Sequence, residues 1–235
     1  MASRGEPAAP QADRPPPAAP SNGGGEVQLR VYLLVDSLQR QFAAYMGSPL
    51  RARGYPPLEG VHALIVEVSP GIAIERVTDL ALRAVPAVEP GILYVERQFG
   101  VLQIHSAEID DVKSAGRAIL GGIDSLPKDQ LRPKILFVDV IEDITDRHAI
   151  IVNRTRQASM VLPGESLLIV EMAPALFAAV VANEAERAVP DNTLVDVQMI
   201  GAAGRVYVSG TTAGVEKARD VIVAVLGSIE GRSEP

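Results

Sequence analysis

The chain has 235 residues, no cysteine and a formal net charge of −7 at pH 7. This length allows two domains of about 100 residues each, and the absence of cysteine excludes disulfides, thiolate metal sites and a cysteine nucleophile. The negative charge, spread without blocks of one sign, argues against a nucleic-acid partner and gives no polybasic signal for a membrane surface. Apolar residues make up 47% of the sequence but aromatic residues only 4%, so we expect cores of Val, Ile, Leu and Ala.

The N-terminal segment, residues 1–25, consists mainly of Pro, Ala, Gly and small polar residues. Such a sequence buries too little apolar area to offset the entropy of ordering it. We predict a disordered tail, with a short docking segment for cargo or a neighbouring subunit as the alternative. The segment lacks the apolar stretch of a secretory signal, and no apolar run in the sequence approaches the ~18 residues of a membrane span, so we expect neither.

The first half of the remaining chain alternates strands with helices. A strand at 28–35 precedes a short helix at 38–46, and Ser69 and Pro70 are good N-cap and first-turn residues for a second helix. On that helix the 3.6-residue period predicts burial of Ile72, Ala73, Val77, Leu80, Ala81 and Ala84. The other elements predicted here are strands at 63–68, 92–95 and 101–105, a tight loop at 96–100 and a helix at 110–122.

After a linker at 124–133, the second half has a similar order. We predict strands at 134–141, 145–152, 166–172, 195–200 and 205–209, a polar loop at 153–164, and helices from Pro174 and at 215–226. Each half therefore suits an α+β sandwich, an antiparallel sheet with helices on one side. Because the helices are amphipathic, we expect the other face of each sheet to be open to solvent or to a partner.

The two halves share sequence at a constant offset. LIVE at 64–67 returns at 168–171, an offset of 104, and RAVP at 83–86 returns at 187–190. Two such matches at one offset indicate a tandem duplication, and a repeat of this length is a whole small domain rather than a solenoid unit. We place a first domain at 26–126 and a second at 127–235, after the tail at 1–25.

No set of catalytic or metal-binding residues stands out. The histidines, His62, His105 and His148, are far apart in sequence, so we expect surface or loop roles and no metal site. Phosphate-binding glycine loops and nucleophile motifs are absent, so we expect no cofactor and no enzymatic activity. Glu67 and Glu171 occupy equivalent positions in two predicted strands, where structural salt bridges are favoured over a paired acid role.

One loop carries a charge pattern in only one half. Glu96 and Arg97 stand between two predicted strands, whereas Ile200 and Gly201 occupy the corresponding positions of the second half. Halves that share a fold but differ in charge at one loop suggest that this loop has a task in a single half. An ordinary exposed turn is the alternative explanation.

A series of short motifs runs through nearly all of residues 29–226. They are VDSLQ at 35–39, AAYMG at 43–47, VEVSPG at 66–71, RVTD at 76–79, VER at 95–97, FG at 99–100, VNR at 152–154, SM at 159–160, PG at 163–164 and ANEAE at 182–186. In this order they resemble the tandem-domain, circularly permuted, trimer-forming shell proteins of bacterial microcompartments, of the gated-pore carboxysome type.

This resemblance implies two permuted, ferredoxin-like shell domains of α+β fold and a structural role in a microcompartment shell in the cytoplasm. Three chains would form a pseudohexameric tile with a central pore, and two such trimers would stack face to face. The tile would pack among hexameric and pentameric shell proteins around enzymes. It would pass small anionic metabolites and catalyse no reaction.

The resemblance also implies a gate. Glu96 and Arg97 match the family's gate pair at the threefold axis. Three Arg97 side chains would block the pore there, and swinging them out to pair with Glu96 would open it. The flanking pore residues would be Gln98, Phe99 and Gly100, with Gln98 in place of the family's small residue.

Contacts at the tile edge are implied at Arg83 and Arg187, where the family usually has a lysine, following Asp79 and Asn183. Arginine keeps the charge and adds a planar fork of donors. From the residues alone a second class of function stays open. This is a ferredoxin-like trimeric regulatory protein whose 96–97 loop binds a small anionic metabolite.

Overall fold

The computed structural model of the protein describes residues 25–48, 54–156 and 158–233, apart from the side chain of Glu96. The predicted tail at 1–25 therefore lies outside the described residues, except for Gly25. In the described chain, two halves follow one another with the same order of elements. Each half contains one four-stranded antiparallel sheet.

The first half builds its sheet in the order β1-β2-β4-β3. Its elements are β1 (Gln28–Val35), α1 (Arg40–Met46), β2 (His62–Ser69), α2 (Ile74–Ala84), β3 (Glu89–Glu96), β4 (Phe99–Ser106) and α3 (Ile109–Gly122), with a 3₁₀ turn at Gly71–Ala73 before α2. The linker to the second half contains a further 3₁₀ turn at Pro127–Asp129.

The second half repeats this plan, with the sheet order β5-β6-β8-β7. Its elements are β5 (Lys134–Ile141), α4 (Asp146–Asn153), β6 (Ser166–Ala173), α5 (Ala178–Ala188), β7 (Thr193–Gln198), β8 (Gly204–Gly210) and α6 (Thr212–Ser228), with a 3₁₀ turn at Ala175–Phe177. The α+β fold class is confirmed. None of the helices in the described ranges has the length and apolar character needed to cross a membrane.

The duplication extends to the irregularities of the sheets. A β-bulge follows Leu29 in β1, and another follows Ile135 in β5. Bulges also follow Pro90 in β3 and Leu194 in β7, two positions that are 104 residues apart. A bulge bends a strand and raises its twist, so the two sheets bend at matching places. A domain boundary between 126 and 127 stays a prediction.

The strand predicted at 145–152 is wrong, because this segment forms the helix α4. The Thr145 hydroxyl accepts a hydrogen bond from the backbone N–H of His148 and so caps the first turn. Ala149 and Val152, three residues apart, face the core. Asp146, the first residue of α4, lies 106 positions after Arg40, the first residue of α1. The duplication therefore predicts a helix in this segment.

The start of α2 also differs from its prediction. Ser69 is the last residue of β2 rather than a helix cap, and Pro70 precedes the 3₁₀ turn. The α-helix begins only at Ile74. Because a 3₁₀ turn has 3 residues rather than 3.6, Ile72 is not in phase with the buried face of α2. Its side chain is 68% exposed, contrary to the expected burial.

The first sheet is covered on both faces, and the second sheet only in part. Leu64 and Leu102 of the first sheet pack with α2 and α3, whereas Ile65 faces the other way and joins the buried cluster that contains Phe42 of α1. In the second half, Ala149 of α4 shares a cluster with Leu167 of β6. The expected open face is therefore wrong for the first sheet. In the second sheet Phe137 of β5 is 51% exposed on the α4 side, so this part of the face is open.

The cores of the two halves are continuous. One cluster of buried side chains includes Val31 and Phe42 of the first half and Leu176 and Phe177 of the second. Within it, α1 packs against α5 and β7. This junction between the halves was not predicted, because it joins residues that lie more than a hundred positions apart in the sequence.

Candidate functional site

The turn between β3 and β4 contains the two residues Arg97 and Gln98, both exposed. Glu96 pairs with Phe99 across the end of the hairpin, so Phe99 and Gly100 belong to β4 rather than to a five-residue loop. A two-residue turn is the shortest common hairpin connection. It places the Arg97 side chain at the tip of the sheet. The Glu96 side chain lies outside the described residues, so its ion pair with Arg97 stays a prediction.

The corresponding turn of the second half is longer and uncharged. β7 ends at Gln198 and β8 begins at Gly204, which leaves five residues, 199–203, with the sequence MIGAA. Met199 is buried, and Gly201 has a positive φ of 123°. The halves therefore differ at this point in length as well as in charge.

Gly100 has a packing role that both halves require. A Cβ atom on Gly100 would lie 2.2 Å from the backbone oxygen of Gly71, and one on Gly204 would lie 2.2 Å from the backbone oxygen of Ala175. Both contacts bring the start of a strand against the 3₁₀ turn of the same half. The glycine thus belongs to the framework of the fold, and its presence does not distinguish the charged turn.

A cation–π contact and an ion pair support the base of the charged turn. The Arg30 guanidinium carbon lies 3.7 Å from the centre of the Phe99 ring. Its Nε atom donates to Glu67 Oε1 at 2.8 Å, and both side chains are largely buried. This pair fixes the hairpin immediately behind Arg97.

The second half pairs its equivalent glutamate differently. Arg205 donates to Glu171 Oε1 at 2.8 Å and to Gln198 Oε1 at 3.2 Å. The prediction of structural salt bridges for Glu67 and Glu171 is confirmed, although the arginine comes from β1 in one half and from β8 in the other. Sequence reasoning missed Arg30 and Arg205, and the cross-strand register of β6 and β8 was the available signal for Arg205.

Asp79 and Arg83 form an exposed ion pair on α2. Arg83 Nε donates to Asp79 Oδ2 at 2.6 Å, one helical turn away. This hydrogen bond and the carboxylate charge raise the pKa of the Arg83 guanidinium. Both side chains face solvent in the single chain, so they are available for contacts with other molecules.

Asn183 and Arg187, the equivalents on α5, contact the first half of the same chain. Asn183 is 0% exposed, and its Oδ1 accepts the backbone N–H of Gln39 at 2.8 Å. Arg187 donates to the backbone oxygens of Asp36 and Ser37. Asn183 therefore has no surface to offer a neighbouring tile, and the predicted edge contact at this position is replaced by a contact between the halves.

Glu186 completes this junction. Its carboxylate oxygens accept the backbone N–H groups of Gln41 and Phe42 at 2.8 and 2.9 Å, and the residue is 8% exposed. These are N–H groups of the first turn of α1, which lack partners within a helix. Gln39, the N-cap of α1, provides no side-chain cap, so the second half caps a helix of the first.

The histidines are placed separately and form no common site. His62 Nδ1 lies 2.9 Å from Asp36 Oδ1, and His148 is an exposed residue of α4. His105 is buried beside Gln103, with Nε2 at 3.4 Å from Glu89 Oε2. Burial lowers the pKa of His105, against the opposing effect of Glu89. Among the described residues, no group of three or more His, Asp or Glu side chains is arranged to hold a metal ion.

Comparison with known proteins relates this geometry to a family. Residues 29–129, which include the charged turn, match the family model described as the CsoS1D N-terminal domain. Over 209 residues the chain is 39% identical to the carboxysome shell protein CcmP of Synechococcus elongatus. The aligned residues cover 89% of this chain and 96% of CcmP. Over 205 residues it is 38% identical to the carboxysome shell protein CsoS1D of Prochlorococcus marinus, with coverage of 87% and 78%.

Two solved structures share the whole two-sheet fold. The double-ringed trimeric shell protein MSM0271 of the RMM microcompartment is 67% identical, with a TM-score of 0.86 and coverage of 89% of this chain and 100% of that one. The fused permuted hexameric shell protein MSM0275 of the same microcompartment is 44% identical, with a TM-score of 0.83 and coverage of 88% and 100%. These relatives are named as structural components of shells, which confirms the expectation of a non-enzymatic protein. The chain belongs to the family of carboxysome and microcompartment shell proteins that carry two tandem permuted shell domains.

Proposed function

We propose that three copies of this chain form a pseudohexameric tile in the shell of a bacterial microcompartment, with a central pore that opens and closes. The tile places six domains, residues 26–126 and 127–235 of each copy, around the axis. It lies in the cytoplasm among hexameric and pentameric shell proteins. The proposal draws on the family membership and on MSM0271, a relative described as double-ringed and trimeric, from which stacking of two trimers is also inferred.

The proposed gate rests on the difference between the two hairpin turns. Arg97 is exposed at the tip of a two-residue turn, whereas the matching turn of the second half has no charged residue. Around a threefold axis, three cationic turns would alternate with three uncharged ones. Contacts behind the turn, from Arg30 to Phe99 and Glu67, hold the backbone of the hairpin while the Arg97 side chain moves.

Electrostatics gives this arrangement two states. Three guanidinium groups that converge on one axis repel one another, and pairing each with Glu96 relieves that repulsion. With the arginines on the axis the pore is closed, and with the arginines displaced it is open. A ring of cations also raises the local concentration of anions, so small anionic metabolites are the proposed solutes. Gln98, beside Arg97, sets the width of the opening.

The first measurement is the native mass of the purified chain, combined with negative-stain imaging. A mass of three or six chains and hexagonal plates are expected. The gate is then tested with Arg97→Ala, which should keep this mass but leave the axis open in an electron cryomicroscopy reconstruction. Gln98→Ala changes the same turn without removing charge, so it can alter the width of the open pore but should still show the axis blocked by Arg97. An axis still blocked in Arg97→Ala would contradict the gate.

A regulatory protein that binds a small anion is the second candidate, because an exposed arginine on a short turn also suits that role. It predicts saturable binding of a phosphate or carboxylate ligand at a fixed stoichiometry, with no plates. Isothermal titration of inorganic phosphate into wild type and Arg97→Ala separates the two functions. Plates without saturable binding favour the tile.

A further inference from the structure

A groove crosses the surface where the two halves meet. It has a volume of about 710 Å³ and lies between β1, the linker, α5 and α6. Its lining is mainly apolar, with Tyr32 and Leu34 of β1, Leu126 of the linker, Val180 of α5 and Val225 of α6. Leu34 and Leu126 are 38% and 55% exposed, so apolar surface is left open to solvent here. The charged turn contributes no residue to this groove.

The groove follows β1 from one identifiable end to the other. At the near end, Gln130 accepts the backbone N–H of Tyr32 at 2.9 Å. At the far end, Glu184 lies 3.6 Å from Arg187, which donates to the backbone oxygen of Ser37. The chain between Tyr32 and Ser37 measures roughly 17 Å when it is extended. The groove therefore suits an extended segment of about this length.

The N-terminal tail contains a repeated motif that matches this length. The sequence RGEPAAP at 4–10 returns as RPPPAAP at 14–20, so Arg-x-x-Pro-Ala-Ala-Pro occurs twice. Proline-rich chains favour the polyproline II helix, which has three residues per turn and a rise of about 3.1 Å. In that conformation Arg14, Pro17 and Pro20 share one face, and the distance from the first to the last is about 19 Å.

We propose that residues 14–20 dock in this groove of the same chain as a polyproline II segment. Segments of this kind bind grooves lined by aromatic and apolar side chains, because their backbone is already extended and loses little entropy on binding. Tyr32 supplies the aromatic ring, and Pro20 packs beside it. The composition of the tail does not support a core of its own, so an ordered part must use apolar surface of the folded domains.

The connection between the motif and β1 is long enough for this docking. Tyr32 lies six residues after Glu26, about 20 Å along the strand direction. The chain from Pro20 to Glu26 contains SNGGG and spans at most about 21 Å, so Pro20 reaches the near end of the groove. The preceding residues then run towards the far end. A tether this short gives an effective concentration in the millimolar range, so even a weak contact holds the segment.

Charge complementarity sets the direction of the segment. With Pro20 at the near end, Arg14 lies at the far end beside Glu184. Arg187 and a neighbouring amide group both contact Oε1 of Glu184, so among the described contacts its Oε2 is left for a charge-assisted hydrogen bond with Arg14. The reverse direction would bring Arg14 next to Lys128, which lines the groove near Gln130. Like charges would then oppose the docking.

Tryptophan fluorescence tests the docking, because the natural chain contains no tryptophan. Ala19→Trp places a reporter in the motif at 14–20, and Ala9→Trp places a matched reporter in the copy at 4–10. Acrylamide should quench the Ala19→Trp variant at least about twofold less than the Ala9→Trp variant, because the short tether holds only the first reporter in the groove. Equal quenching of the two variants would overturn the proposal.

Substitutions added to the Ala19→Trp chain locate the bound segment. Leu126→Ser removes an apolar wall of the groove and should lower the ratio of docked to free tail about tenfold. Val223→Ser changes an exposed apolar residue of α6 that does not line the groove, so it should leave the ratio unchanged. Protection that survives Leu126→Ser would place the tail elsewhere and contradict the assignment.

A charge swap tests the direction. Arg14→Glu should lower the ratio of docked to free tail about two- to fivefold, whereas Arg4→Glu, the same change in the other copy of the motif, should not. Adding Glu184→Lys to Arg14→Glu should restore the protection. No recovery in this double variant would contradict the pairing of Arg14 with Glu184.

The outcomes separate this inference from the proposed function. The circular dichroism spectrum and the native mass should be unchanged in every variant, so a loss of protection does not report misfolding. A native mass of three chains with full quenching of the Ala19→Trp variant keeps the tile and overturns the docking. Protection without a three-chain mass keeps the docking and contradicts the tile. Protection that falls on dilution would mean that the tail binds another copy, which contradicts docking within one chain.

Discussion

The two halves of this chain share strand order, bulges and packing, but they differ in how each short helix is held. α1 lies buried on the second half and takes its N-terminal cap from Glu186. α4 carries its own cap, Thr145, and exposes Ile150 and Ile151. The two halves have therefore kept one fold, while the surroundings of their short helices differ.

The largest effect is expected from Glu186→Leu, which gives the internal junction the residue found at position 82. Two backbone N–H groups of α1 would lose a charged acceptor in a buried place, which costs about 3 kcal/mol. Urea unfolding at a fixed protein concentration measures the loss. Adding Gln39→Thr should recover about 1 kcal/mol, because threonine caps a helix as Thr145 does. Glu184→Gln, close to Glu186 but more exposed, should change stability by less than about 0.5 kcal/mol.

Gly100→Ala and Gly204→Ala test whether both halves need a glycine where the strand meets the 3₁₀ turn. Each added methyl group would meet a backbone oxygen at 2.2 Å, and such overpacking costs about 1–3 kcal/mol. Thermal unfolding should therefore show similar losses for both. Gly121→Ala is the control, since a Cβ there meets nothing within 4 Å. Destabilisation by Gly100→Ala alone would mean that the glycine serves the charged turn and not the fold.

Thr145→Ala removes the cap that α4 provides for itself. The expected loss is about 1 kcal/mol, measured by urea unfolding. Gln39→Ala, at the equivalent position of α1, should cost less, because that side chain makes no cap hydrogen bond and donates instead to the backbone oxygen of Ser37. Equal losses in the two variants would contradict the view that the helices are held in different ways.

The smallest effect is a pH dependence of the free energy of unfolding. It arises in the first half only, because Ser209 occupies the position of His105 in the second half. Burial lowers the pKa of His105 below its ordinary 6.5. The unfolded chain therefore binds this proton at a higher pH than the folded chain does. Stability should fall as the pH decreases from about 6.5 to the folded-state pKa, by less than about 1 kcal/mol. Unfolding curves between pH 8 and 5.5 should lose this slope in His105→Ser but keep it in His148→Gln.

Local sequence patterns predicted most of the fold. Apolar runs located the eight strands of the sheets within a few residues, and the matched LIVE and RAVP segments identified the duplication. The misassigned segment at 145–152 ends in four consecutive apolar residues, AIIV, which obscure a helical period. The equivalence of this segment to α1 predicts a helix. It was overlooked because the two segments are 106 residues apart, whereas the LIVE and RAVP matches are 104 residues apart.

The site was predicted less well than the fold. The position of Arg97 at a hairpin turn followed from the strands on either side, but its supporting partner Arg30 lies on a strand almost seventy residues earlier. Asn183 was assigned to the tile edge and Glu186 only to a family motif, whereas their partners are backbone groups at the start of α1. Backbone donors carry no signal in the side-chain sequence, so such contacts are found only when distant segments are placed together.

The capping of α1 by Glu186 also has a consequence for synthesis on the ribosome. Glu186 lies 145 residues after Gln41. At about 5–20 residues per second, roughly 7–30 s pass before the second half can receive the helix. During that interval a nascent first half presents an uncapped helix and an unfilled apolar surface. A second half from another nascent chain could bind this surface. Two chains on neighbouring ribosomes of one messenger could then exchange halves before either is released.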